Sequence, residues 1–170
     1  PESFYGFTKL EIERLLKWYD RLKNIKYSAL RYFNAAGFDV WNRITGLEKT
    51  TANLLPVIME VALGMRSHLE IYGDDYDTKD GSCIRDYIHV NDLGTVHVAS
   101  LEYLIEYNKS QILNIGNEKG ISVLEMLELS KKITGKEIPV KIVGRRPGDP
   151  SNLVATSKKT CSLLNWKPLH

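Results

Sequence analysis

The hydrophobic positions of the chain change between helix-like and strand-like spacing. Near the start, apolar residues recur at intervals of three and four, which predicts an amphipathic helix with one apolar face. This stripe consists of Ile12, Leu15, Leu16, Tyr19 and Leu22. A nearly continuous apolar run, Ile25–Phe33, follows and predicts a buried strand.

Shorter patterns of the same two kinds continue to the end of the chain. They predict three more helices, which begin at Asn53, at Asn91–Asp92 and at Ser122. The last of these has the capping-box sequence Ser122-Val-Leu-Glu125. Strands are predicted at 69–73, 85–90, 112–116 and 139–143, and this mixture of helices and strands indicates an α/β fold.

Composition narrows the classes of partner that this protein can have. The chain has 170 residues, is 43% hydrophobic and 26% charged, and carries a formal net charge of +2. So small a charge favours neither a nucleic-acid nor a membrane partner. No apolar run approaches the roughly 20 residues that span a bilayer. We interpret Cys83 and Cys161 as reduced thiols of a cytoplasmic protein, and the sequence predicts no metal site.

The first candidate chemistry lies at the beginning of the predicted helix. Tyr5 and Lys9 are four residues apart, so they lie on one helix face and can reach the same site. A nearby ammonium favours the phenolate form of a tyrosine, which would make Tyr5 a usable base. The alternative is a half-buried tyrosine beside a solvated lysine, which is the commoner fate of this spacing.

Four runs of sequence resemble one family of enzymes. They are Ser3–Glu11, which contains Tyr-Gly-Phe-Thr-Lys; Arg31-Tyr-Phe-Asn34; Arg85-Asp-Tyr-Ile-His-Val90; and Arg145-Arg-Pro-Gly-Asp149. Together they resemble the extended short-chain dehydrogenase/reductases, and among these the UDP-glucose 4-epimerases. The resemblance implies NAD as cofactor, a UDP-sugar as substrate and a homodimer.

The resemblance also assigns roles to individual positions. It implies that Tyr5 and Lys9 are catalytic and bind the cofactor, and that Phe33 touches the cofactor. It places Glu70, Ile71 and Tyr72 along the uracil. The remaining substrate-binding positions that it implies are Asn34, Asn53, Leu54, Arg85, Arg146, Asp149 and Leu153.

Four of these positions also have a structural interpretation. Asn34 is equally a turn residue that bonds its own backbone, and Leu54 is equally a core residue. Arg85 alone would more commonly form a surface salt bridge, and Arg146 would more commonly belong to a basic surface turn. His89 is interpreted as structural, because the resemblance gives it no catalytic role.

The chain lacks a segment that the resemblance requires. No G-x-G-x-x-G run follows a strand, although such a run would hold the pyrophosphate of NAD. We therefore expect a C-terminal portion of a longer protein that is inactive by itself. Residues 1–35 would complete an NAD-binding Rossmann domain, and residues 36–170 would form mainly the smaller, interleaved nucleotide-sugar domain.

Two functions remain after this reasoning. The first is reversible inversion at C4 that interconverts UDP-glucose and UDP-galactose in galactose metabolism. The second is another NAD-dependent dehydratase, epimerase or decarboxylase chemistry, or a fragment that binds nucleotide sugar without catalysis. Leu153 leaves the preference between UDP-hexose and UDP-N-acetylhexosamine open, and the irregular loop Asp39–Thr51 leaves details of the sugar site open.

Overall fold

The structure is a computed structural model that describes residues 3–44, 46 and 52–170. The α/β fold class predicted from the sequence is confirmed. The described helices are α1 (Phe4–Lys23), α2 (Leu54–Ala62), α3 (Val90–Tyr107), α4 (Val123–Thr134) and α5 (Lys158–Leu164). The described strands are β1 (Ser28–Arg31), β2 (Asn34–Ala36), β3 (Leu69–Tyr72), β4 (Ile84–His89), β5 (Gln111–Asn114), β6 (Gly120–Ser122), β7 (Val140–Val143) and β8 (Asn152–Leu153).

The strands form three small sheets in which parallel pairing dominates. β1 pairs with β5, and β3 pairs with β7, both in parallel. The largest sheet has the order β2-β4-β6, with β8 also paired to β4; only the β4–β6 pair is antiparallel. Strand β4 is therefore shared by three neighbours and lies at the centre of this arrangement.

The apolar run Ile25–Phe33 forms a shorter and less buried strand than its pattern predicts. Within this run the strand is β1, which ends at Arg31, and no residue of β1 is fully buried. β1 pairs with β5, whereas β2 begins just after the run, at Asn34, and pairs with β4. The chain thus crosses from one sheet to another at residues 32–33. An apolar run carries no signal of which strand a segment pairs with, so the sequence did not indicate where β1 ends.

Helix boundaries follow local capping chemistry. The predicted capping box is present, because Ser122 accepts from the Glu125 backbone N–H while the Glu125 carboxylate accepts from that of Ser122. Helix α3 begins one residue before the predicted start, and its N-cap is His89, whose ring accepts from the Asn91 N–H. His89 is therefore bound into the helix terminus, consistent with a structural role.

Two clusters of buried apolar side chains hold the elements together. The first joins α2, β3 and α4 and includes Ile58, Ile71 and Leu127. The second joins β4, α3, β5 and the residues after α5, and includes Ile88 and Trp166. Burial of this kind contributes roughly 25 cal/mol per Å² of apolar surface, so each cluster fixes the strands that it contacts.

Helix α1 is an exception, because its apolar stripe is not covered. Leu15 and Leu22 of this stripe are more than half exposed, as is Trp18 beside it, and among the described residues of α1 only Glu13 is buried, at 8% exposure. Glu13 receives two hydrogen bonds of 2.5 Å from the Arg31 guanidinium at the end of β1. An ion pair, rather than apolar packing, thus joins this helix to the sheet within the described residues.

None of the described helices is long and apolar enough to cross a membrane. Both cysteines are free thiols.

The predicted loop Asp39–Thr51 lies partly outside the described residues, since residues 45 and 47–51 are not among them. In its described part the Arg43 guanidinium forms a salt bridge to Asp39, and this pairing holds the pKa of the Asp39 carboxyl far below its ordinary value.

Candidate functional site

A large cavity collects most of the residues that the sequence singled out for substrate binding. This cavity, called the central cavity below, has a volume of about 670 Å³. Its lining includes Asn34, Asn53, Leu54, Glu70, Ile71, Tyr72, Arg85, Arg146 and Asp149. These residues come from five separate segments of the chain, so the fold brings together residues that are distant in the sequence.

Strand alternation explains one wall of the central cavity. Arg85 and Tyr87 are two residues apart on β4, so their side chains lie on the same face of the sheet. Asn34 on β2 is the register partner of Tyr87, which places it beside that pair. Cys83 precedes β4 with the same spacing and also lines the cavity. A polar wall therefore arises from the period of two along one strand.

Arg85 is held firmly in this wall. One terminal nitrogen, Nη1, donates to the carbonyls of Ile84 and Pro150, each at 2.8 Å, and the other, Nη2, donates to the Asp149 carboxylate. The side chains of Arg85 and Asp149 are only 12% and 29% exposed. A guanidinium has five N–H donors, and three are used here, so two are left for a ligand. The charge is fixed in place before any ligand arrives.

Arg146 is held in a different way. Its guanidinium carbon lies 3.6 Å from the centroid of the Tyr72 ring, a cation–π contact. The Tyr72 hydroxyl in turn donates to Glu70 at 2.9 Å. Glu70, Ile71 and Tyr72 all line the cavity, and Ile71 also belongs to the first apolar cluster. An aromatic ring and a phosphate-matching cation thus lie in contact at one end of the cavity.

The two asparagines of the cavity also present polar groups. The Asn34 side-chain amide donates to the Asp86 carbonyl at 3.0 Å rather than capping its own backbone, and Asn34 also lines the cavity. Asn53 is the N-cap of α2, yet its side chain makes no capping hydrogen bond. Leu54, the first residue of α2, packs against the first apolar cluster and lines the cavity as well.

Tyr87 was not singled out from the sequence, although it lies in the cavity wall. Burial raises the pKa of its phenol to about 12, because the phenolate is disfavoured away from water. The hydroxyl therefore stays protonated near neutral pH and can donate a hydrogen bond. Its spacing from Arg85 was the available signal, since a strand places residues i and i+2 on one face.

Leu153 is close to this wall without lining the cavity. It is the last residue of β8 and the register partner of Arg85 on β4. Its assignment to the sugar pocket stays a prediction from the sequence.

The three residues predicted to meet the cofactor lie outside the central cavity. Tyr5 is 70% exposed near the start of α1, and the Lys9 ammonium lies 5.1 Å from the centroid of its ring. Phe33 follows the carboxyl end of β1, and its ring is also exposed. Tyr5 and Lys9 do share one helix face, as their spacing predicts, but that face is open.

The acidic turn that follows β3 has no cation-binding arrangement. Among the described residues no group of three or more His, Cys, Asp or Glu side chains is placed to hold a metal ion. Instead, Asp75 pairs with Arg145, and Asp80 accepts hydrogen bonds from Ser82 and Ser122.

Comparison with known proteins gives a consistent result over the whole chain. Residues 1–170 match the family model described as GDP-mannose 4,6 dehydratase. The UDP-glucose 4-epimerase of Halalkalibacterium halodurans is 46% identical over 168 residues, which cover 99% of this chain and 50% of that enzyme. The chain spans about half the length of the curated relatives that it matches.

Solved structures agree with these relatives. The UDP-glucose 4-epimerase of Brucella ovis, in complex with NAD, is similar with a TM-score of 0.89 and 39% identity, over 97% of this chain and 51% of its own. The UDP-glucose 4-epimerase of Bifidobacterium longum, in complex with NAD+ and UDP, has a TM-score of 0.89 and 37% identity, over 98% and 50%.

Proposed function

Because the chain belongs to the family described as GDP-mannose 4,6 dehydratase, we propose that it is the substrate-binding half of an NAD-dependent UDP-glucose 4-epimerase. In this proposal the longer protein inverts C4 of a UDP-hexose and so interconverts UDP-glucose and UDP-galactose, a step of galactose metabolism. The two free thiols fit a cytoplasmic enzyme. We also propose a homodimer, which rests on the resemblance alone.

One observation carries the proposal: the central cavity places two arginines of different character beside an aromatic ring. Arg85 offers a fixed charge with two unused donors, and Arg146 lies against Tyr72. Guanidinium groups match the oxygens of a diphosphate, and an aromatic face supports a base. Asp149, at the same wall, is an acceptor for ribose hydroxyls. The set fits a nucleoside diphosphate.

Binding the substrate through its nucleotide is consistent with an epimerase reaction. The groups that we assign to the diphosphate are Asn34, Arg85 and Arg146, and the protonated hydroxyl of Tyr87 is a further donor at the same wall. Holding the nucleotide fixes the substrate while leaving the hexose free to turn and present either face at C4.

The catalytic step is assigned to the exposed face of α1. In the proposed reaction deprotonated Tyr5 accepts the proton of the substrate 4-hydroxyl and later returns it, and the Lys9 ammonium lies beside the Tyr5 ring. Tyr5, Lys9 and Phe33 offer a hydroxyl, an ammonium and an apolar ring, a set that fits the nicotinamide end of NAD. When bound, NAD would supply a reversible hydride acceptor for C4.

A second candidate is the chemistry in the family's description, 4,6-dehydration of a nucleotide sugar. Dehydration would need further acid and base groups near the sugar, and we assign that role to none of the described residues. Product analysis separates the two, because epimerisation conserves the mass of the sugar, whereas dehydration removes one water.

The experiment that tests the proposal joins this chain to the amino-terminal half of the Halalkalibacterium halodurans relative, replacing the half that it matches. With UDP-galactose, the chimera should form UDP-glucose, and its Tyr5→Phe variant should lose at least about a hundredfold in rate. A folded chimera that retains NAD and binds UDP yet forms no UDP-glucose would contradict the proposal. We further expect the 170-residue chain alone to be inactive, and turnover of UDP-galactose by it would overturn that expectation.

A further inference from the structure

Two consecutive arginines after β7 stack on two tyrosines that lie four residues apart. The guanidinium carbon of Arg146 lies 3.6 Å from the Tyr72 ring centroid, and that of Arg145 lies 4.2 Å from the Tyr76 ring centroid. Arg146 lines the central cavity, whereas Arg145 does not. Of the two arginines, only Arg146 is therefore placed to meet a ligand in the central cavity.

Arg145 makes a dense set of contacts outside the cavity. Its Nε donates to the Asp75 carboxylate at 2.7 Å, and its Nη2 donates to the Asp75 carbonyl. This pairing raises the pKa of Arg145 and lowers the pKa of Asp75. Since one partner atom belongs to the backbone, the contact fixes the main chain of the turn as well as a side chain.

The turn is shaped to receive the Arg145 stem. Gly73 has a positive φ of +87°, and a Cβ there would lie 2.7 Å from Arg145 Cγ and 2.7 Å from the Tyr76 ring. A side chain at position 73 would thus push both groups away. The Gly73 N–H also donates to the Val143 carbonyl at 2.8 Å, two residues before Arg145.

Arg146 lacks such anchors. In the part of the chain that the structure describes, its guanidinium makes no hydrogen bond or ion pair to the protein, and its contact is the stack on Tyr72. The direction in which it extends is therefore set mainly by the path of the main chain at 145–146. Arg145 is the residue that ties this path to the turn after β3.

We propose that Arg145 is a positioning residue: its clamp on Asp75 and Tyr76 aims Arg146 into the central cavity, where Arg146 meets the phosphates of the bound nucleotide. The inference rests on the proposed function, because it takes a nucleoside diphosphate as the ligand. It adds Arg145 as a residue that touches no ligand but determines how well Arg146 contacts the ligand.

A positioning role and a simple charge effect predict opposite signs for one substitution. If Arg145 acted through its charge, removing the negative charge of Asp75 would strengthen binding of an anion. If the clamp positions Arg146, Asp75→Asn must weaken binding, in the same direction as Arg145→Ala. The two substitutions together should then cost little more than either alone, because both break one contact.

The test is a titration of UDP and, separately, of uridine into the 170-residue chain and its variants. Arg145→Ala and Asp75→Asn should each weaken UDP binding by about threefold to tenfold, the range for a partly exposed ion pair and cation–π contact. Uridine, which lacks phosphates, should bind unchanged. Arg145→Lys should recover part of the loss, because lysine keeps the charge and the stack.

Lys79→Ala is the matched control, since it removes a positive charge from the turn after β3 to which Asp75 belongs. The Lys79 side chain is 90% exposed and lies 3.9 Å from Glu125. Its UDP affinity should equal that of the unchanged chain.

The outcomes separate the two proposals. Tighter UDP binding by Asp75→Asn, or an equal loss for UDP and uridine in Arg145→Ala, would overturn the positioning role while leaving the nucleotide site intact. An Arg145→Ala chain that binds UDP as well as the unchanged chain would do the same. Failure of the folded, unchanged chain to bind UDP at all would overturn the proposed function and this inference with it.

Discussion

The central cavity and the exposed face of α1 contain the two halves of the candidate site, and they are built in different ways. Around the cavity, Arg85 and Asn34 are already engaged with carboxylate and carbonyl groups of this chain. On α1, Tyr5 lies open beside Lys9, and the apolar stripe below them is uncovered. The groups that we propose to bind the substrate are preorganised within the described residues, whereas the groups that we propose to be catalytic are not enclosed by them.

Because of this difference, we expect the chain to meet the requirements for nucleotide binding but not those for catalysis. Preorganised donors bind a ligand without first losing side-chain freedom, so the cavity should bind a nucleotide by itself. A tyrosine base needs a site that excludes water and holds its hydroxyl near the reacting atom. The described residues supply preorganised donors around the cavity, but they do not enclose Tyr5 in a site that excludes water.

The largest expected effect is on the cavity side. Arg85→Ala removes a donor to the ligand and also the cation that Asp149 pairs with, so UDP affinity should fall by about a hundredfold. Arg85→Lys should lose less, because it keeps the charge but not the fork of donors. Calorimetric titration measures both. Arg14→Ala, which breaks an exposed pair on α1, is the control and should bind UDP normally. If Arg85→Ala binds UDP with the same affinity as the unchanged chain, the contrast between the central cavity and the exposed face of α1 is wrong.

A smaller effect is expected where α1 joins the sheet. The Arg31 guanidinium lowers the pKa of Glu13, chiefly through their hydrogen bonds. A carboxyl group whose folded pKa is depressed stabilises the fold above its unfolded pKa of 4.5, and this stability is lost as the pH falls through the folded value. Glu13→Gln should therefore lower the free energy of unfolding by about 1–2 kcal/mol at pH 7, and by much less near pH 3.

Chemical denaturation at the two pH values measures this difference. Glu11→Gln is the matched control, because Glu11 is an exposed residue of the same helix and pairs with Arg14. It should change stability by less than about 0.5 kcal/mol at either pH. A loss in Glu13→Gln that is equally large at pH 3 would show that packing, not the ion pair, ties α1 to the sheet.

The smallest expected effect sharpens the comparison from the catalytic side. Tyr5→Phe and Lys9→Ala should leave the UDP affinity of this chain within about twofold, because neither residue lines the central cavity. The same titration as for Arg85→Ala measures it. A tenfold loss in either variant would show that the two regions form one binding unit.

Most of the residues that the resemblance selected for substrate binding line one cavity, whereas the strands around it were predicted less well. Asn53, Glu70 and Arg146 lie far apart in the chain, and only Arg146 belongs to one of the four runs that carry the resemblance. The end of β1 at Arg31 and the start of β2 at Asn34 were missed, since β1 pairs with residues 83 positions away and β2 with residues 53 positions away.

Other features could not be read from local patterns at all. Tyr87 was passed over although its spacing from Arg85 places it in the same wall. The clamp between Asp75 and Arg145 joins residues 70 positions apart, and nothing in either segment alone indicates it. The exposure of the apolar face of α1 could not be predicted either, because an apolar stripe predicts a buried helix without indicating which part of a protein buries it.

The most direct test of the contrast is amide hydrogen exchange of this chain with and without saturating UDP. We predict slower exchange at residues 69–73, 84–87 and 145–149, which surround the central cavity, and unchanged exchange along α1 at residues 4–23. Protection of α1 by UDP, or no protection around the cavity in a folded chain, would contradict the claim that the nucleotide site is complete without the catalytic face.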